Sequence, residues 1–466
     1  MGTGHHYTPV AMLNELLLAG AVSTPDKALV ISSNGTTTYA QAVARAEAFA
    51  AGLRERGITR FGCRVADVAE LIALLAASSA LGAEACMYAA AATPEEIATI
   101  ADHFDHDVLV TMPDDEMAKN PKALLLDGLA VPAAGGELAT TPDACPLLIL
   151  TTGTTGLPKG ARNDWIRLVT THKRRVGSSE ARWLVAHVPN QFAGLGVLLH
   201  CLASGATLIV PDAYSPRAAL AAMREHGITH ASATPTFWRF VLSLMDGDAQ
   251  PKPNLLQITM AGEAIPSALV DDIHAAFPNA RISQIYGATE FGSSVSVGDA
   301  RNGLPLSVLE RPDDAEVQFK IVDGELHVKS RIGMLGYYGS EDVGDSWRPT
   351  GDLVEVRDGR IFFAGRSSEI INVGGVKVSP LPIEDVIGRV PGVEVAHVYG
   401  RKNAVSGQIV QVDVVASPGE DEEELEDRIR EACEVLPEAS QPRRIRFVED
   451  LDIRDTKIAR RVKDSD

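Results

Sequence analysis

Leu147-Leu148-Ile149-Leu150-Thr151-Thr152-Gly153-Thr154-Thr155-Gly156-Leu157-Pro158-Lys159-Gly160 is the stretch on which the fold turns. Its first four residues are uniformly aliphatic, the mark of a strand buried on both faces. The next ten change chemistry, with four threonines, three glycines and one lysine. Glycine allows backbone conformations that point successive amides at one anion. The threonine hydroxyls add neutral donors and Lys159 adds a positive charge. A strand that runs into such a loop predicts a cradle for a polyphosphate. It is not a Walker A loop, because Lys159 lies between Pro158 and Gly160 where that motif needs Gly-Lys-Ser/Thr. Taken alone, a Gly/Thr surface turn is the plainer alternative.

Outward from this loop the chain alternates. Thr38-Tyr39 opens a helical pattern through Val43, Ala46, Phe49, Ala50 and Leu53 that stops at Gly57. Residues 108–110, 147–150, 183–188, 207–210, 230–233, 257–261 and 281–286 read as strands, with helices at 216–225 and 267–277 between them. Such alternation predicts an α/β body with layered sheets. The apolar stretch 71–92 is broken by Ser78, Ser79 and Glu84 and reads as a buried helix followed by a strand, not as a membrane span. After about Pro305 short antiparallel strands appear at 317–322, 325–328 and 360–363, with Asp-Gly turns at Asp323-Gly324 and Asp358-Gly359. Beyond Arg366 a compact unit follows: a helix from Ser379-Pro380, strands at 393–399 and 408–415, and a helix opened by the acids at 420–424. The expected division is a large multi-subdomain α/β body over 1–365 and a small α+β C-terminal domain over 366–466.

Composition narrows the function. With 466 residues, 45% apolar and 23% charged, the chain is long enough for at least two domains with sizeable cores. A net charge of −19 argues against nucleic acid as partner, since duplex binding needs a cationic surface. It leaves small anionic substrates open, because a local pocket can oppose the global field. Five scattered cysteines (Cys63, Cys86, Cys145, Cys201, Cys433) form neither a disulfide framework nor a metal pair, so structural roles in a reducing compartment are expected. No basic signal region precedes the patch at 12–18, and His6 stands where myristoylation needs Ser or Thr. A cytoplasmic protein with no membrane partner is the expectation.

The 151–160 segment resembles the signature loop of the adenylate-forming superfamily, which holds acyl-CoA synthetases, adenylation domains and luciferases. The likeness continues in order along nearly the whole chain. Gly262-Glu263-Ala264 resembles the segment lining the adenine and acyl pocket, although alone it fits a strand-ending turn as well. Tyr286-Gly287-Ala288-Thr289-Glu290 reproduces the family's YGxTE motif. The resemblance implies that Tyr286 packs on adenine, Thr289 contacts phosphate and Glu290 holds magnesium. A flat aromatic face suits a purine, and a carboxylate suits a hard cation. Thr350-Gly351-Asp352 and Gly365-Arg366 resemble the ribose-binding motifs, which places the hinge on Ser368. Gly374-Gly375 falls in the glycine-rich segment that faces the active site for thiol transfer. Lys457, in Thr456-Lys457-Ile458-Ala459-Arg460, resembles the lysine that bridges substrate carboxylate and α-phosphate. The family's small domain is mobile and alternates between two half-reactions.

The resemblance thus implies ATP-dependent activation of a carboxylic acid to acyl-AMP with release of pyrophosphate, followed by transfer to coenzyme A. ATP and magnesium are the implied cofactors, with Lys159 and residues 151–156 on the phosphates. The acyl pocket falls on Gln191, Phe192 and Gly194. Asn190 and Gln191 replace the aspartate that amino-acid-activating relatives place here, which argues against a standard α-amino acid. A free acyl carrier protein or a non-thiol nucleophile is the alternative acceptor, and a nucleotide-binding sensor without turnover is the alternative of another class. A kinase would be told apart by ADP, not AMP, as product.

Overall fold

The structure, a computed structural model, describes residues 12–140, 142–151, 157–173, 178–404, 406–417, 419–449, 451, 453–454 and 457–458. The aliphatic run forms the strand Pro146–Thr151, and the chain returns antiparallel as Lys159–Asp164 with Thr151 directly opposite Lys159. The lysine therefore opens a strand, where a Walker loop would open a helix. Both strands belong to a seven-stranded sheet whose remaining core, Glu84–Met87, Arg60–Arg64, Leu109–Thr111 and Ala123–Leu125, is parallel. An eight-stranded sheet has a parallel centre from Gln257–Ala261 to Thr207–Ile209. It carries Arg281–Ala288 beside that centre and antiparallel Gly292–Val297 at one edge.

Helices packed between the two sheets explain the layering. Helix Val68–Leu81 is buried nearly all round, as a helix apolar on every face must be. It shares one continuous core with helices Leu13–Ser23, Tyr39–Glu55 and Phe192–Ser204. That core also takes in Phe61, Leu147 and Ile149 of one sheet and Leu29, Trp183 and Leu208 of the other. The 71–92 stretch is thus the predicted helix plus the strand Glu84–Met87. Among the described residues no helix is long and apolar enough to cross a membrane. All five cysteines are buried and free, and burial pushes Cys63 up to about 12 and Cys145 and Cys433 to about 11. Such thiols stay protonated and pack as small apolar groups.

Most expected elements are present within a few residues, and two depart for physical reasons. The strand expected over 183–188 is Arg182–Leu184, because its neighbour Thr207–Ile209 ends just before Pro211, which has no N–H to continue a ladder. Ser379 precedes helix Pro380–Ile387 without a side-chain cap, so the proline alone marks the start. Both Asp-Gly turns hold. Asp323, Gly324, Asp358 and Gly359 have φ of 51°, 79°, 50° and 70°, the pair of positive values a two-residue hairpin of type I′ requires. They close an antiparallel sheet that includes Val317–Val322, Glu325–Ser330, Arg348–Arg357 and Arg360–Arg366. After Arg366 comes a separate sheet of Ile371–Val373, Val376–Val378, Val393–Asn403, Gly407–Ala416 and Arg444–Phe447 with its own core, backed by Pro380–Ile387 and Glu422–Ala432. Asp421 caps the latter helix through the amides of Glu423 and Glu424.

Candidate active site

Strand Arg281–Ala288 carries Tyr286 at its end and delivers the turn that holds Thr289 and Glu290. Gly287 is required here by close approach: a Cβ would come within 2.8 Å of the Gly292 carbonyl on the returning strand. Two chains of contact leave this point. In one, the Tyr286 hydroxyl donates to Asp352 Oδ2 at 2.8 Å, and Arg366 Nε lies 3.2 Å from Asp352 Oδ1. In the other, the Tyr337 hydroxyl donates to Glu290 Oε1 at 2.8 Å, and Lys159 Nζ sits 5.3 Å from the centre of the Tyr337 ring. The structure therefore joins Lys159, Glu290, Tyr286, Asp352 and Arg366, residues up to 207 positions apart in sequence, into one line.

The electrostatics along that line are uneven. Burial raises Asp352 above its ordinary value, and Arg366 and the Tyr286 hydroxyl work against that rise. Tyr286 stacks on Phe363 with centroids 4.9 Å apart, and burial pushes its phenol up. Burial likewise raises Tyr337, assisted by the charge of Glu290, so the phenol stays a donor to the carboxylate. Arg348 donates to the Glu290 carbonyl at 3.1 Å and lies over Phe291 at 4.9 Å; burial lowers its pKa. One carboxylate oxygen of Glu290 faces Tyr337, which leaves the other for a cation. Magnesium is commonly held by one or two carboxylates plus substrate phosphates, and Glu290 fits that pattern. Among the described residues no group of three or more His, Cys, Asp or Glu forms a metal cage.

Glu263 accepts from the Thr236 amide at 3.0 Å, in the first turn of helix Pro235–Met245, and Gly262 takes φ 88° beside it. Ala264 follows in the same loop. Phe192 starts helix Phe192–Ser204, with Gln191 as an N-terminal residue that makes no cap bond. With Leu168, Leu195, Leu199, Ile332 and His172 it lines a small cavity reached by Gly292 and Ser293. Gly194 does not line that cavity. A Cβ there would fall 2.1 Å from the Val188 carbonyl, so this glycine serves close packing of the helix start. Ser368 sits in the exposed turn Ser367–Glu369. Gly374 and Gly375 form the exposed tip between Ile371–Val373 and Val376–Val378. Thr152, Gly153, Thr154, Thr155, Gly156 and the side chain of Lys457 lie outside the described residues. The backbone of Lys457 pairs with Arg454 in a short hairpin whose second strand runs beside helix Pro235–Met245.

Sequence reading missed Tyr337 and Arg348. Gly336-Tyr337 lies in a two-residue strand on the edge of the seven-stranded sheet, against Ala161 and Arg162. An aromatic residue directly after a glycine was its only local signal. Arg348, two residues before Thr350, carried the signal of a lone cation beside the ribose motif.

A family model described as AMP-binding enzyme matches residues 18–338, and one described as AMP-binding enzyme C-terminal domain matches 382–457. A medium/long-chain-fatty-acid–[acyl-carrier-protein] ligase of Mycobacterium tuberculosis is 27% identical over 87% of this chain and 78% of its own length. A 2-succinylbenzoate–CoA ligase of Bacillus cereus is 25% identical over 93% of this chain and 94% of its own. Among solved structures, an anthranilate CoA ligase in complex with anthranoyl-AMP superposes with a TM-score of 0.83 at 22% identity, covering 97% of this chain and 96% of that one.

Proposed function

Since the chain belongs to the family of AMP-binding enzymes, we propose that the line from Lys159 to Arg366 holds ATP along its length, with the phosphates toward Lys159 and the ribose toward Asp352. The enzyme is an adenylate-forming ligase of carboxylic acids that uses ATP. The observation that carries the site reading is the pair of contact chains leaving one strand end: Tyr286–Asp352–Arg366 on one side and Glu290–Tyr337–Lys159 on the other.

The reaction brings an anionic carboxylate to the α-phosphorus of another anion, so catalysis is positioning plus charge neutralisation. Residues 151–160 grip the β- and γ-phosphates. Magnesium, when bound at Glu290, offsets charge on the leaving pyrophosphate. Tyr286 meets the adenine, Thr289 a phosphate, and Asp352 with Arg366 the ribose hydroxyls. Lys457 stabilises the charge that develops around the α-phosphate. Domain 366–466 then turns about Ser368 and brings Gly374-Gly375 to the adenylate for the thiol step.

The acid's tail points toward Phe192 and the small cavity that Leu168, Leu195, Leu199 and Ile332 wall together with His172, a mostly apolar lining with one imidazole. Coenzyme A is the acceptor we favour. A carrier protein is the second reading, supported by the name of the mycobacterial relative; carriers are commonly acidic, and a −19 enzyme repels them unless a local basic patch intervenes. A hydroxylamine-trapping screen over aliphatic, aromatic, amino and dicarboxylic acids tests the reading. Hydroxamate with AMP and pyrophosphate is expected; ADP as product, or nucleotide binding with no pyrophosphate release for any acid, would refute it. Repeating the best acid with coenzyme A and with a holo carrier protein decides the acceptor.

A further inference from the structure

Helix Pro235–Met245 has two faces with different partners. Phe237, Trp238, Val241 and Met245 are buried in the core of the eight-stranded sheet. Arg239, Phe240 and Ser243, spaced to share the other face, meet the unit beyond Arg366. Phe240 packs against Val395, Val415 and Leu451. Ser243 Oγ donates to Glu394 Oε1 at 2.9 Å. Arg239 brings Nη2 to 3.2 Å from where a Cβ at Gly388 would sit. Burial lowers the pKa of Arg239, and Glu384 and Asp385 of the small unit with Glu263 and Asp272 of the body oppose that lowering. On the next helix, Ser267 accepts from Arg389. The Lys457–Ile458 strand lies along this same helix, while the Gly374-Gly375 tip has no atom within 4 Å of either Cβ position. The helix is also tied to the pocket, since Glu263 accepts from the Thr236 amide in its first turn.

We propose that Arg239, Phe240 and Ser243 form a latch that holds the small domain where Lys457 serves adenylation, and that this latch must open before the thiol step. The proposal rests on the reading of Lys457 given above. The same helix reaches Glu263 through the Thr236 amide at one end and the small domain through Arg239, Phe240 and Ser243 further along, so it connects docking to the Gly262–Ala264 loop. These three are positioning residues, since they act through Lys457. An apolar contact, one exposed hydrogen bond to the Glu394 carboxylate and the charge of Arg239 make a contact of limited extent, which suits one that must form and release in every turnover.

The test is the double variant Arg239→Gln/Phe240→Ala, assayed in both half-reactions. Acid-dependent ATP–pyrophosphate exchange is expected to fall about tenfold, while transfer from supplied acyl-adenylate is kept or quickened. Dyes on Val22→Cys and Val435→Cys, both strongly exposed (84% and 80%), report the domain arrangement by energy transfer, and the double variant should populate a second state. Ser243→Ala, which removes one hydroxyl bond, should move both readouts the same way by about two- to threefold and guards against a folding defect in the double variant. Arg239→Lys should restore exchange. Equal loss of both half-reactions, unchanged exchange, or an unchanged dye signal would each overturn the latch. Lys457→Ala run in parallel separates the two readings: if it leaves exchange intact, the role of Lys457 fails, while the dye signal still judges the latch.

Discussion

Glu290 keeps one carboxylate oxygen in a hydrogen bond from Tyr337 and its backbone carbonyl under Arg348. Both bonds fix the direction in which the second oxygen points. Removing the phenol frees the carboxylate to rotate, so Tyr337→Phe should raise the magnesium concentration needed for half-maximal pyrophosphate exchange by about tenfold, the equivalent of roughly 1.4 kcal/mol for a charge-assisted bond. A magnesium titration of the variant reads this directly, and an unchanged midpoint would count against the role. Asp352 gives a sign-determined case. Burial raises its folded-state pKa, so the folded state holds its proton more firmly than the unfolded chain. Its contribution to stability is full below the ordinary carboxylate value and is lost as pH rises from there through the raised folded-state value. Asp352→Asn should therefore gain melting temperature relative to the parent as pH goes from about 4 to about 7, while its affinity for ATP falls. A melting difference that is flat or declining across that window would show that Arg366 and Tyr286 outweigh the burial.

Hairpins and strand ends place these side chains, and they differ in what they tolerate. Gly359 takes φ 70° with no atom within 4 Å of a Cβ position, so Gly359→Ala meets only backbone strain and should cost about 1–2 kcal/mol in urea unfolding without loss of exchange. Gly287→Ala instead drives a methyl against the Gly292 carbonyl and displaces the Thr289–Glu290 turn, so activity should fall far more than stability. Had the two variants traded effects, the hairpin would not be what positions Glu290. Much of this scale could be read in the sequence. The aliphatic run at 147–150 and the Asp-Gly pairs at 323–324 and 358–359 are local signals whose physics lies within a few residues. Sheet order could not be read this way, because the pairing of Lys159–Asp164 with Gly336–Tyr337 joins segments far apart in the chain. Tyr337 was hidden for the same reason: nothing near it in sequence announces a partner at Glu290. The latch face of helix Pro235–Met245 was equally silent. Phe237 and Trp238, on the helix's other face, are buried in the core of the eight-stranded sheet.

At the scale of the molecule, a chain of net charge −19 gathers Lys159, Arg348 and Arg366 along one line beside two carboxylates, Glu290 and Asp352. A local cationic lining inside an anionic body suits a small anion better than a nucleic-acid duplex. In the small unit the Lys457–Ile458 strand lies along helix Pro235–Met245 while the Gly374-Gly375 tip is exposed, so the roles proposed for these two segments call for two arrangements of the unit. The direct measurement is Lys457→Ala, assayed for acid-dependent ATP–pyrophosphate exchange and for transfer from synthetic acyl-adenylate to thiol. Exchange should fall by about a hundredfold or more while transfer stays near the parent rate; an equal fall in both, or exchange left intact, would contradict the division of labour.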